Sequence, residues 1–152
     1  MTPILLALLA QAAPAPACTA TAAPPAGLEA WGTVAAITKG PVAIGKGTGL
    51  MLQPVEKVVF APAPARAPNP GSFGGVYQFT VKAAGTYRIA LAAGAWIDVV
   101  RDDKSLESVA HTEGPACSGI RKIVDFTLSP GRYSLQLSGA KEAAMRILIV
   151  RK

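Results

Sequence analysis

The two cysteines, Cys18 and Cys117, and the one histidine, His111, carry the widest chemical repertoire in this sequence. A thiolate nucleophile needs a nearby imidazole or another source of positive potential. His111 precedes Cys117 by six residues across a Gly114-Pro115 loop. One reading therefore makes Cys117 a nucleophile, His111 its base and Asp125 or Asp98 the orienting carboxylate. The other joins the two sulfurs, because a single pair of cysteines in an oxidising compartment is most simply a disulfide. Closing a loop of about 100 residues would stabilise the fold by roughly 4–5 kcal/mol through entropy removed from the unfolded chain. The disulfide is the expectation adopted, and no catalytic residue is assigned.

Metal chemistry is poorly served. His111, Glu113, Cys117 and an aspartate would mix soft and hard ligands at no recognised spacing. Asp102 and Asp103 with Glu107 fall short of the oxygen count of a calcium loop. No metal ligand is assigned and no cofactor is expected. Asp98, Asp102 and Asp103 read as turn and cap residues. The run Gly45-Lys46-Gly47-Thr48-Gly49 looks like a phosphate cradle. It has neither nucleotide-binding spacing nor a helical pattern after it, and reads as a flexible hairpin tip. Aromatic faces stack on sugar rings, so Trp31, Trp96 and Tyr77 are of interest; Trp96 lies within an apolar strand and reads first as a core residue. The possible binding residues are Trp96, Asp98, His111, Arg121 and Lys122.

These groups need a scaffold, and composition limits which one. The chain of 152 residues has room for one domain plus a short leader or tail. Apolar residues at 51% supply a core, while 13 prolines and 15 glycines are too many for a helical bundle. Fifteen Lys and Arg against nine Asp and Glu leave a charge of +6. The bases are scattered, with Arg121-Lys122 the densest cluster, which fits solubility or loose attraction to an anionic envelope better than specific reading of nucleic acid.

Residues 4–10 are apolar, small residues and prolines follow, and the first charge is Glu29. This is the shape of a secretory leader, although no Lys or Arg precedes the apolar run. The run is too short to span a bilayer, so no transmembrane segment is expected. Cleavage would follow Ala12 or Ala17; the second makes Cys18 the first residue, as in a lipoprotein, without the large aliphatic residue that normally precedes such a site. The expected organisation is a signal peptide over residues 1–17, an Ala/Pro-rich spacer over 18–30 and one domain over 31–152. A second proline-rich stretch, residues 61–75, links two halves of that domain across an edge.

Tyr77, Phe79 and Val81 alternate with Gln78, Thr80 and Lys82, the signature of a half-buried strand. After Gly85 the same grammar gives Tyr87, Ile89 and Leu91, and after Pro130-Gly131 it gives Tyr133, Leu135 and Leu137. These read as two hairpin edges of one type. Residues 96–101, 120–128 and 143–150 are further strands, and 31–37, 49–53 and 55–61 shorter ones. The expected fold is all-β, an antiparallel β-sandwich or jelly roll of about eight or nine short strands.

The segment from Tyr77 to Val100, with Phe79-Thr80-Val81, Ala84-Gly85-Thr86-Tyr87-Arg88-Ile89 and Trp96-Ile97-Asp98-Val99, resembles the strand-turn-strand core of bacterial pre-peptidase C-terminal type β-sandwich modules. That resemblance implies a binding or export role beside secreted enzymes. The runs Gly94-Ala95-Trp96-Ile97-Asp98-Val99-Val100 and Gly114-Pro115-Ala116-Cys117-Ser118-Gly119-Ile120-Arg121-Lys122 resemble small exported proteobacterial proteins, some described as homogentisate 1,2-dioxygenase. That description implies an iron site of two His and a carboxylate, and one His cannot supply it within a monomer. The expectation is an exported periplasmic, envelope or secreted protein. It acts as a non-catalytic binding or structural module for a glycan or an envelope protein, with an oxygenase or a Cys/His thiol enzyme as the alternatives.

Overall fold

The computed structural model describes residues 13–14, 17–33 and 36–152. In chain order the strands are β1 (Ile37–Thr38), β2 (Thr48–Met51), β3 (Gln53–Pro54), β4 (Phe73–Val81), β5 (Gly85–Leu91), β6 (Trp96–Arg101), β7 (Lys104–Ser105), β8 (Ala110–Thr112), β9 (Lys122–Leu128), β10 (Gly131–Ala140) and β11 (Ala144–Arg151). Eight run three residues or more; β1, β3 and β7 are two-residue pairings. They form two sheets, ordered β1-β2-β11-β5-β9-β8 and β3-β4-β10-β6-β7. Every pairing is antiparallel except the short β1/β2 pair. The fold is thus the antiparallel β-sandwich expected from the sequence. Among the described residues, no helix is long and apolar enough to cross a membrane.

Alternation places the core. Tyr77, Phe79, Val81, Ile97, Val99, Tyr133, Leu135 and Leu137 face inward from one sheet; Leu50, Tyr87, Ile89, Leu91, Val124, Phe126, Met145, Ile147 and Ile149 face them from the other. Removing each such side chain from water is worth about 1.5–3 kcal/mol. Phe79 and Tyr133 stack across neighbouring strands at 5.5 Å.

The repeated Gly-x-Tyr segments are not hairpin edges. β4 and β5 belong to different sheets, as do β9 and β10, so each intervening turn carries the chain across the sandwich. The same tyrosine bond braces both corners. Tyr87 donates its hydroxyl to the carbonyl of Ala83 at 2.7 Å, and Tyr133 donates to that of Ser129 at 2.7 Å. A tyrosine bonded four residues upstream recurs in sandwich corners, where it satisfies a hydroxyl that burial would otherwise strand.

Parts of two segments read as strands, 31–37 and 55–61, take other forms, although Ile37 does enter β1. Residues 29–32 make a 3-10 turn, Glu29–Gly32. This tighter winding sets residues three apart on one face, so Leu28 and Trp31 lie together on Ala90, Ile123 and Leu148, the outer face of the β5/β9/β11 sheet. Val55–Lys57 is a second 3-10 turn, begun at Pro54. Beyond it the chain leaves the ladder, because the buried Gln136 side chain takes the hydrogen bonds a neighbouring strand would have made. Its oxygen accepts from the Ala61 amide at 2.9 Å and its nitrogen donates to the Pro62 carbonyl at 3.0 Å. The proline-rich stretch therefore crosses the outer face of the β4/β10/β6 sheet.

Cys18 and Cys117 form the disulfide, with Cα atoms 5.6 Å apart. The Ala22 amide adds a hydrogen bond to the Cys117 carbonyl at 2.8 Å, and Arg146 lies 4.8 Å over the Trp31 ring while donating to the carbonyls of Trp31 and Thr33. The spacer is thus a strap fastened along one face. The apolar leader run and the Ala12 cleavage position lie outside the described residues, as do residues 15 and 16 beside the Ala17 position.

Candidate functional site

At one end of the sandwich the β5-to-β6 and β10-to-β11 connections cross between sheets, and the proline-rich stretch comes down beside them. Together with the start of β9 they enclose an open groove of about 700 Å³, lined among others by Arg66, Trp96, Arg121, Lys122, Lys141 and Glu142. Small-ligand sites range over about 300–1,000 Å³.

Trp96 is not a core residue. Ile97 and Val99 take the inward positions of β6, so Trp96 and Asp98 must point outward, and the indole remains 37% exposed. Its orientation is set by a hydrogen bond from Nε1 to Asp98 Oδ1 at 3.1 Å. Asp98 is not a turn residue either. It sits in mid-strand opposite Gln136 and is buried at 5% exposure. Its Oδ2 is the single buried side-chain oxygen or nitrogen without a hydrogen-bond partner among the described residues. The turn reading does hold for Asp102 and Asp103, whose φ values of 50° and 59° close the two-residue β6/β7 hairpin.

Lys122 reaches back across the groove, donating to the Ala95 carbonyl at 2.7 Å with its ammonium 5.5 Å from the Trp96 ring centre. Burial pushes its pKa down and the charge of Arg66 pushes the same way, against a pull upward from Asp98. Arg121 is tethered to Glu113, whose carboxyl this contact holds below its usual range. The geometry thus brings together Trp96, Asp98, Arg121 and Lys122. His111 stands apart on the edge strand β8, exposed and opposite Val124.

Sequence reasoning missed Arg66, Lys141 and Glu142. Arg66 was legible as the single charged residue in an alanine-proline run, where a long cation has no ladder or core to serve.

The thiol-catalyst reading is overturned, since a Cys117 sulfur bonded to Cys18 cannot form a thiolate, and the described residues contain no free cysteine. Nor is the glycine-rich run a loose hairpin tip. The Gly45 amide donates to Ile149, that of Gly49 donates to Ala36, and a side chain at Gly47 would press on the carbonyls of Ala30 and Thr33 at 3.2 Å. The amides of Gly45 and Gly49 are therefore engaged within the protein, and the run leads into β2 rather than a helix. Among the described residues no three His, Cys, Asp or Glu side chains stand close enough to hold a metal ion.

No family model matches the chain, and no curated protein matches it. Among solved structures it is similar to the pre-peptidase C-terminal domain of collagenase from Bacillus anthracis. The two are 13% identical with a TM-score of 0.44, over 72% of this chain and 92% of that one.

Proposed function

We propose that the protein is an exported, non-catalytic binding module whose ligand is a carbohydrate held in the groove at Trp96. The observation that carries this reading is the exposed indole, fixed by Asp98 and flanked by polar and cationic side chains on a rigid scaffold. A flat aromatic face suits the apolar face of a sugar ring, while charged and carbonyl groups at the rim suit its hydroxyls. The strap disulfide fits an oxidising compartment outside the cytoplasm.

The test is titration of the full chain with oligosaccharide panels by calorimetry and by the fluorescence of Trp96. A ligand for this site shifts that emission, and Trp96→Ala weakens binding at least tenfold while circular dichroism stays native. Undiminished binding by Trp96→Ala, or no binding to any panel member, rejects the proposal. Mass of the protein recovered from the host envelope tests export, through loss of the leader.

A further inference from the structure

The groove's cations divide into paired and unpaired. Arg121 has Glu113. Lys122, Arg66 and Lys141 have no carboxylate within salt-bridge distance among the described residues, although all three border the same groove. Lys122 is the unusual member. It is half-buried, its ammonium leans over an aromatic ring, and its located hydrogen bond goes to a neutral carbonyl. A partly desolvated cation facing a second cation is unfavourable, and a protein normally relieves such a pair with a carboxylate. Here Asp98 acts on Lys122 from outside salt-bridge distance, and Arg66 has no carboxylate within that distance among the described residues. The lining carries four cations, Arg66, Arg121, Lys122 and Lys141, against the single carboxylate of Glu142, with Glu113 and Asp98 beside Arg121 and Lys122.

We infer, resting on the carbohydrate reading above, that the sugar bound here is acidic: a uronic-acid unit whose ring lies on Trp96 and whose carboxylate bridges Lys122 and Arg66. The assignment of a carboxylate follows from the two donors. An arginine fork matches the two oxygens of a planar carboxylate, and a lysine ammonium supplies a compact point charge from the other side. Placing an anion between them replaces repulsion by two charge-assisted hydrogen bonds in a partly dehydrated site. Burial first, and Arg66 second, push the Lys122 pKa down, with Asp98 opposing.

The test compares a galacturonic acid trisaccharide with the same trisaccharide reduced to its neutral galactose form, at 0.15 M salt, a concentration taken from the physiological range at which surface charges are screened over about 8 Å. The acidic trimer is expected to bind at least tenfold more tightly. Arg66→Ala, at an exposed position, and Lys122→Met, which keeps the stem packed beside Trp96, should each remove that preference by lowering the affinity for the acidic trimer at least tenfold, and the affinity for the neutral trimer by less. Equal binding of both trimers by the wild type overturns the inference and leaves the carbohydrate reading standing. Persistence of the preference in both variants overturns it as well. If neither trimer binds and no neutral sugar does, the carbohydrate reading itself fails. Displacement of the acidic trimer by sodium acetate at equal carboxylate concentration would show an anion site without sugar recognition, and also refutes the inference.

Discussion

Replacing both cysteines, as Cys18→Ser with Cys117→Ser, removes one covalent bond and few packing atoms, so its effect falls mainly on the unfolded chain. The bridge joins positions 99 residues apart, and chain entropy assigns a loop of that length about 4.7 kcal/mol. For a domain of this size each kcal/mol moves the melting temperature by about 2–4 °C, so a drop of about 9–19 °C is expected. The urea m-value should stay constant or rise, because an unbridged chain exposes more surface on unfolding. The native state should change little: Trp31 stays buried against Leu28, Ile120, Ile123 and Leu148 and under Arg146. Fluorescence of Trp31 in a Trp96→Phe background reports this directly. A melting shift below about 3 °C at unchanged m-value would refute the unfolded-state reasoning. A red-shifted Trp31 in the native double variant would show that the bond, and not the strap's own apolar contacts, holds it down.

Three further outcomes are expected. Asp125 is buried beneath Arg88, which donates to both its oxygens at 2.9 and 3.0 Å, and Lys152 at 3.2 Å, and these contacts hold its carboxyl below the ordinary 3.8 against the opposing effect of burial. A depressed carboxyl contributes stability that is complete above the unfolded pKa and lost as pH falls through the folded one. Asp125→Asn should thus cost about 2–4 kcal/mol at pH 7 in urea melts, a gap that narrows as pH falls below the ordinary carboxyl value; a gap independent of pH contradicts this. Gly74→Ala would set a methyl 2.5 Å from the Leu137 carbonyl, where β4 meets β10, and should lower stability by about 1–3 kcal/mol or shift the register, visible in amide exchange of β4. Tyr133→Phe leaves the Ser129 carbonyl and amide and the Arg101 guanidinium without their shared hydroxyl, at an expected cost of about 1–3 kcal/mol in melts, with sugar binding unchanged.

The strands of the core were readable because alternation is local: Tyr77, Phe79 and Val81 keep one face whatever the rest of the chain does. The outward position of Trp96 was readable by the same rule, since Ile97 and Val99 occupy the inward parity. The apolar content of the run disguised it. The corners were not readable, because a Gly-x-Tyr turn between alternating segments looks the same whether it closes a hairpin or crosses to the opposite sheet. That choice depends on β10 pairing with both β4 and β6, contacts between residues far apart in the chain. The 3-10 turns were hidden for a similar reason. Valine-rich residues 55–61 have strand propensity, but after the turn at Val55–Lys57 the chain is bound at Ala61 and Pro62 by Gln136, a residue far along the sequence.

By itself, then, the amino-acid order determined the class of fold, the faces of the long strands, the means for one bridge between Cys18 and Cys117, and the lack of a second histidine. All are properties of residue type or of neighbours two apart. Only the tertiary structure decided that Arg66, Trp96, Lys122 and Lys141, spread over four separate segments, share one groove, and that the three cations in this set form no salt bridge among the described residues. Charges act through space, so their neighbours are set by how the sheets and loops pack and not by their spacing along the chain.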